Sequence, residues 1–171
     1  PTFALAFSLF DDPAWDSLAP HRPLRYWQLI EINQPGATPL TSSALHADER
    51  MVSYIKGLNK LDDRLDSLLM PLDNPMKSNY LPPSHQSAAK PIADQFYWHA
   101  HSPHTAVIQL VGPDTISKRQ VVWAALQGVK STQYKRLRPM WLPVEQIPTQ
   151  SGELETFIRL WERESRLVPI A

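Results

Sequence analysis

The chain contains no cysteine and only 5 glycines among its 171 residues. The lack of cysteine excludes disulfide frameworks, thiolate zinc sites and cysteine nucleophiles. No stretch approaches the roughly 20 consecutive apolar residues of a membrane-spanning helix, and the apolar residues 3–7 have neither a basic flank nor a cleavage pattern. We therefore expect a soluble, cytoplasmic protein that does not associate with a membrane.

The chain also lacks any excess of charge, because 17 Lys and Arg residues balance 17 Asp and Glu residues. The distribution is uneven, since residues 1–81 carry ten acids and seven bases, whereas residues 82–171 carry seven acids and ten bases. A pI near 7.5 and an acidic first half disfavour a DNA-binding protein, which normally presents a basic surface.

Proline is abundant, with 17 residues, and it is dense in the aperiodic stretch 70–83, where the charge balance also changes sign. Such a stretch is typical of a boundary between domains. We predict a first domain over residues 1–73, a linker and helix start over residues 74–90, and a second domain over residues 91–171.

In the first half, Asp48 opens a predicted helix over residues 48–56 that Gly57 ends. A second helix is expected from Asn59, with leucines 61, 65, 68 and 72 at helical spacing. Residues 23–32 fit a helix opened by Pro23 or a segment that ends as a strand. Short helices around a Pro/Gly turn predict a winged-helix-like α+β lobe.

In the second half, predicted helices and strands alternate. A helix over 84–100 is disturbed by Pro91, a strand follows over 106–111, a helix ends at Gly128, a second strand lies within 134–142, and a helix covers 151–166. Residues 168–171 form an apolar run that is typical of the start of an interior strand, so we expect a fragment of a longer protein. Alternation of this kind predicts an incomplete P-loop-type βαβαβ lobe with a parallel sheet, and hence an α/β fold class.

The loop over residues 112–119 lies where such a lobe would carry a phosphate-binding P-loop, whose pattern is G-x-x-x-x-G-K-[ST]. Gly112 and Lys118 match this pattern, but Ser117 replaces the second glycine and Arg119 replaces the hydroxyl ligand of Mg²⁺. Arginine has only donors and a positive charge, so it does not coordinate Mg²⁺. We expect no catalysis here, and at most a degenerate nucleotide-binding site formed by Gly112, Ser117 and Lys118.

No other pattern indicates chemistry. The histidines 99, 101 and 104 have metal-ligand spacing but no acid nearby. We therefore expect them to be ordinary surface residues and not a metal site. The bases Lys130, Lys135, Arg136 and Arg138 are expected on a solvated face.

An ordered series of motifs resembles the front half of the first, degenerate module in a bacterial family of AAA ATPases. The series comprises residues 10–13, 22–31, 48–50 and 54–57, then 108–114, 118–119, 142–143 and 154–164. In that family a winged-helix-like region precedes the degenerate module, and the complete Walker A and Walker B motifs belong to a second module, which would lie downstream of residue 171. Some members accompany contractile, phage-tail-like injection systems, which implies remodelling or assembly work.

The resemblance implies a non-catalytic recognition and assembly region of an AAA ATPase. The chain itself is expected to be inactive and to bind no cofactor, whereas ATP and Mg²⁺ would serve the parent protein. Expected partners are a protein client or other subunits, with self-association through the unfinished sheet and the helix face around Trp161. Two alternatives remain: a DNA-binding winged-helix regulator with an accessory α/β domain, and an active nucleotide phosphohydrolase that uses Lys118.

Overall fold

The computed structural model describes residues 1–12, 14–73, 81–99, 107–128, 138–168 and 170. The helices are α1 (Phe3–Leu9), α2 (Pro23–Tyr26), α3 (Glu49–Ile55), α4 (Asp63–Asp66), α5 (Pro83–His99), α6 (Thr115–Gly128) and α7 (Ser151–Leu167). The strands are β1 (Ile30–Asn33), β2 (Ala44–Ala47), β3 (Met70–Pro71) and β4 (Met140–Trp141), and short 3₁₀ turns cover Trp15–Leu18, Leu40–Ser42 and Val144–Gln146.

The contacts divide the chain into two compact units. Unit 1 comprises residues 1–67 and 147–168, and unit 2 comprises residues 68–146 and 169–171. Helix α7 therefore contacts the first part of the chain, whereas its sequence position had placed it in the second predicted domain. Unit 1 is discontinuous in sequence, because about 80 residues of unit 2 separate its two segments.

A two-stranded antiparallel sheet forms the centre of the first segment of unit 1. Strand β1 pairs with β2 from Ile30 opposite Ala47 to Asn33 opposite Ala44. The start of the chain extends this sheet, because the amide of Leu45 donates to the carbonyl of Pro1 at 2.7 Å. Helix α1 then places Phe3 in the interior, where the residue is 1% exposed. The segment 23–32 combines both structures that its sequence allowed, since it begins as α2 and ends in β1.

Helix α3 confirms the start and stop signals of its sequence. The Asp48 carboxylate accepts from the amide of Met51 at 3.3 Å, as an N-cap does. Gly57 ends the helical stretch with φ of 84°, a backbone conformation that glycine adopts without steric cost.

The predicted helix from Asn59 is much shorter in the structure. Asp62 caps it by accepting from the amide of Arg64 at 2.9 Å, and only Asp63–Asp66 are helical. Pro71 sets an outer limit for this helix, because proline disfavours helical backbone at the preceding residue, Met70, but the helix ends earlier, at Asp66. Of the four predicted core leucines, Leu65 in unit 1 and Leu72 in unit 2 are buried, whereas Leu61 and Leu68 are half-buried.

Helices α5 and α6 form the core of unit 2. Ala89 and Ile92 of α5 pack against Val121 and Ala125 of α6, with Leu110 against the same cluster. Pro91 lies within α5, as its sequence position implied.

The predicted parallel sheet is not formed by the described residues. They contain two antiparallel two-stranded sheets, β1–β2 and β3–β4, in which Met70 pairs with Trp141. Residues 107–111 are not a strand, although residues 106–111 were expected to be one. Val107 is 95% and Val111 87% exposed, so this apolar segment lacks the covering layers of an interior strand. A strand was also expected at residues 168–171, and there Ile170 forms an isolated parallel bridge with Arg138. The P-loop lobe is therefore not shown, and the fold is a mixture of helices with two small sheets.

Candidate functional site

Unit 1 contains a cluster of alternating charges, three carboxylates and three guanidinium groups, which we call the charge cluster. Its members are Asp48, Arg50, Asp62, Arg64, Arg163 and Glu164. All of them except Arg64 are buried. Buried charges are stable only when they are paired, so this cluster fixes how the segments of unit 1 meet.

Arg163 of α7 lies at the centre of the charge cluster. Its Nη1 lies 3.3 Å from Asp48 Oδ1, and its Nη2 donates to Asp62 Oδ2. The same Nη1 donates to the carbonyl of Gln28 at 3.0 Å. Gln28 has φ of 49°, which is rare for a residue with a side chain, and the hydrogen bond from Arg163 helps to hold this turn.

Glu164 pairs with Arg50 of α3. Arg50 Nε donates to Glu164 Oε2 at 3.0 Å, and both side chains are almost completely buried. Burial raises the pKa of the Glu164 carboxyl above its usual value, against the lowering effect of Arg50. Arg50 also approaches the carbonyl of Leu58 at 3.4 Å and the ring of Tyr54. The only arginine of α3 is thus used inside the protein.

Arg64 closes the charge cluster on its exposed side. Its Nη2 lies 2.7 Å from Asp48 Oδ2 and 2.6 Å from Asp62 Oδ2. Burial acts to raise the pKa of Asp62, but the hydrogen bonds and charge of Arg64, with the charge of Arg163, outweigh it and lower this pKa. Asp62 therefore stays ionised in the folded protein at neutral pH.

Three arginines of α7 follow one face of the helix and contact residues 26–28. Arg159 lies over the ring of Tyr26 and Arg166 over the ring of Trp27, each at 4.8 Å, with Arg163 between them. The spacing i, i+4, i+7 places the three on one helical stripe. The local sequence around Arg163 and Glu164 did not predict a role for either residue. Their positions three and four residues after the buried Leu160 were the signal for an inward orientation.

The arginines of residues 15–69 all have acceptors within unit 1. Arg22 pairs with Asp16, and Arg25 donates to the carbonyl of Leu18 at 3.1 Å. Arg50 and Arg64 belong to the charge cluster. Within residues 15–69, the exposed Lys and Arg side chains that form no ion pair are those of Lys56 and Lys60.

The outer face of α3 and of the turn after it is apolar. Ile55 is 80% exposed, Leu58 58% and Val52 36%. Each lies three positions after the one before it, so Val52 and Ile55 share a face of the helix and Leu58 follows in the turn. We call these three residues the α3 face.

The structure places the degenerate P-loop residues at the start of α6. Gly112 has φ of 151°, and a Cβ there would lie 3.8 Å from Cε of Lys118, so these two residues are neighbours. Asp114 caps the helix by accepting from the amide of Ile116 at 3.0 Å, and the hydroxyl of Ser117 donates to the same carboxylate. That hydrogen bond from Ser117 lowers the pKa of Asp114. A carboxylate thus occupies the position in which a P-loop holds phosphate, and Arg119 lies over the ring of Trp141 at 3.9 Å.

No group of three or more His, Asp or Glu side chains among the described residues could hold a metal ion. None of the helices in the same ranges has both the length and the apolarity needed to cross a bilayer. Lys130, Lys135 and Arg136, together with His101 and His104, lie outside the described residues.

Comparison with known proteins gives one match. Residues 15–69 match the family described as "Winged helix domain, variant". No curated protein and no solved structure matches the chain, and the comparisons give no support for an ATPase module. The match begins at the 3₁₀ turn Trp15–Leu18 and includes β1, β2, α3 and α4. A winged helix domain is compatible with a DNA-binding or a regulatory role, and residues 15–69 support the winged-helix lobe that the sequence predicted within residues 1–73.

Proposed function

We propose that this chain is a non-catalytic recognition and assembly region of an AAA ATPase, and that its winged-helix lobe binds a protein. The observation that carries the proposal is the placement of charge on this lobe. Its arginines pair within unit 1, whereas the α3 face presents Val52, Ile55 and Leu58 to solvent. An exposed apolar face with few available cations suits a protein partner better than a phosphate backbone.

The link to an AAA ATPase rests on the ordered motifs of the sequence. The winged-helix match at residues 15–69 lies where that resemblance implies such a lobe. The Asp114 cap at the start of α6 agrees with a region that does not turn over nucleotide. The active ATP site would then belong to a part of the protein that follows residue 171.

A capture experiment tests protein recognition. The purified chain, its double variant Ile55→Ser/Leu58→Ser and the control Val144→Ser would be immobilised and exposed to extract of the source cells. Val144 is also an exposed apolar residue, at 76%, but lies away from α3 in sequence. We expect a protein that the wild type and the control retain and the double variant loses, with the interaction reproduced from purified components.

The same three proteins can also be tested for DNA binding, which is the alternative function. A random duplex should bind only weakly and should dissociate as salt rises towards roughly 200 mM. A sequence-dependent footprint that survives this salt and disappears in Lys56→Ala would contradict the proposal and favour a winged-helix regulator.

The gene provides an independent test of the ATPase parent. The coding sequence after the codon for residue 171 should encode an apolar strand ending in Asp-Glu and, further on, a complete Walker A motif. A stop codon or an unrelated domain at that place would overturn the ATPase assignment but leave protein recognition by the α3 face open to its own test.

A further inference from the structure

The turn at the end of α3 folds Leu58 back beside the helix. The amide of Leu58 donates to the carbonyl of Ser53 at 2.9 Å, and the amide of Gly57 donates to the carbonyl of Tyr54 at 2.9 Å. With Gly57 at φ of 84°, these two bonds form a Schellman motif, in which the residue after the glycine commonly packs against the last turn of the helix. The motif therefore brings Leu58 towards the turn of α3 that carries the other two members of the α3 face.

The carbonyl of Leu58 is held as well. It lies 3.4 Å from Nη1 of Arg50, and Arg50 is itself fixed by its buried pair with Glu164 of α7. Both main-chain groups of Leu58 thus have partners within unit 1, so its exposed side chain is presented from a fixed backbone. A preformed surface loses little conformational entropy on binding, which favours association through a small area.

The segment that carries the α3 face has cations and no acid, because residues 50–61 contain two exposed lysines and no Asp or Glu. The amide of Lys56 donates to the carbonyl of Val52 at 3.2 Å, so Lys56 lies one helical turn after Val52. Side chains of a helix lean towards its N-terminus, which directs Lys56 over the turn that carries Val52. Lys60 follows Leu58 by two positions, and neither lysine has an ion-pair partner within residues 15–69.

The order of charges along α3 determines which ligand group each end attracts. The exposed Glu49 begins the helix, whereas Lys56 follows its last residue. The two are separated by about 10 Å along the helix axis, and the Debye length at physiological ionic strength is about 8 Å. Each charge therefore acts mainly on the ligand group nearest to it, and a carboxylate is favoured at the end with Lys56.

We propose that the α3 face binds an apolar segment of a partner protein that carries an acidic side chain beside Lys56. This inference rests on the proposed function and adds the chemistry of the partner. The apolar side chains of the segment cover Val52, Ile55 and Leu58, and its carboxylate pairs with the ammonium group of Lys56. A nucleic acid would supply the negative charge but would leave the three exposed apolar side chains uncovered.

Selection from a library of random short peptides displayed on phage tests the proposal, with the full chain as the target. Peptides that the wild type retains and Ile55→Ser/Leu58→Ser does not are sequenced, and one is synthesised for fluorescence anisotropy. We expect the selected sequences to combine apolar residues with Asp or Glu. The double variant should bind the synthetic peptide about tenfold more weakly or worse, because it removes the central contact. If circular dichroism shows that the double variant is misfolded, Val52→Ser replaces it.

A charge exchange isolates the contribution of Lys56. Lys56→Glu should weaken binding of the peptide about fivefold, whereas the control Lys90→Glu, at an exposed lysine of α5, should bind as the wild type does. A peptide in which Lys replaces the acid should regain affinity for Lys56→Glu.

The outcomes separate this inference from the proposed function. Selected peptides without an acid, unchanged affinity for Lys56→Glu, or an exchange that restores nothing would each overturn the inference but leave protein recognition by the α3 face in place. A selection without any peptide that depends on the α3 face would also overturn the inference, and the capture from cell extract then decides the proposed function by itself.

Discussion

Arg163 is the residue of the charge cluster that we expect to contribute more to the stability of unit 1 than a surface ion pair does. It bridges the carboxylates of Asp48 and Asp62 inside the protein, and its own side chain is 3% exposed. Removal of one partner from a buried pair leaves the other charge without compensation. The pair of Arg159 with Glu155, in which Glu155 is exposed, is by contrast screened by solvent.

We predict that Arg163→Met lowers the free energy of unfolding by about 3–5 kcal/mol, because two buried carboxylates lose a cation. The matched control Arg159→Met, on the same helix, should cost about 1 kcal/mol or less. Urea unfolding of the full chain, followed by circular dichroism, measures both. Equal losses in the two variants would show that burial does not strengthen the role of Arg163.

The lowered pKa of Asp62 predicts how its contribution depends on pH. Its stabilising charge is fully present above the pKa of an unfolded aspartate, about 4, and is lost as pH falls through the lower pKa of the folded state. The difference in unfolding free energy between wild type and Asp62→Asn should therefore be constant from pH 7 to pH 5 and shrink below about pH 4. Urea titrations at pH 7, 5 and 3 test this, and a difference that grows on acidification would contradict it.

At the scale of elements, α7 completes unit 1 although more than 80 residues separate it from α4. Its arginine stripe contacts residues 26–28 and its Glu164 pairs with α3. Residues 1–67 without α7 would leave Asp48, Arg50 and Asp62 without their buried partners, and such a fragment should not reach a fixed tertiary structure.

A fragment of residues 1–73 is accordingly expected to lack the near-ultraviolet circular dichroism of packed aromatic residues. A synthetic peptide of residues 147–168 should restore this signal, because it supplies Arg163 and Glu164. A peptide with Arg163→Glu should fail to do so, and a peptide with the exposed Glu153→Gln should succeed. Full tertiary structure in residues 1–73 alone would show that α7 is dispensable.

Local signals in the sequence predicted those elements that depend on neighbouring residues. The Asp48 cap, the end at Gly57 and the helix at residues 151–166 were all predicted, because capping and helical periodicity act over a few residues. The strand at residues 106–111 was predicted from apolarity alone, and its described residues remain without strand structure because a strand also needs a partner. The charge cluster could not be predicted, since Arg50 and Glu164 are 114 positions apart and charged residues are rarely buried.

At the scale of the whole molecule, no described part of the chain combines the groups that ATP hydrolysis needs. Lys118 lies close to Gly112, but Asp114 caps α6 and Arg119 stands where a hydroxyl would bind Mg²⁺.

We predict that the purified chain releases no phosphate from ATP above a blank containing Mg²⁺ alone. The double variant Ser117→Gly/Arg119→Thr should remain inactive, because a P-loop also needs an acid from a neighbouring strand. A malachite-green phosphate assay measures both proteins. Turnover by the wild type that disappears in Lys118→Ala would contradict the prediction and favour the phosphohydrolase alternative.

The separation of 114 residues between Arg50 and Glu164 also has a consequence for synthesis on the ribosome. At roughly 5–20 residues per second, about 6–23 s pass between the two codons. During this interval Arg50 lacks its partner Glu164, whereas α5 and α6 can already pack as they emerge. The middle of the chain is thus able to mature before its beginning does.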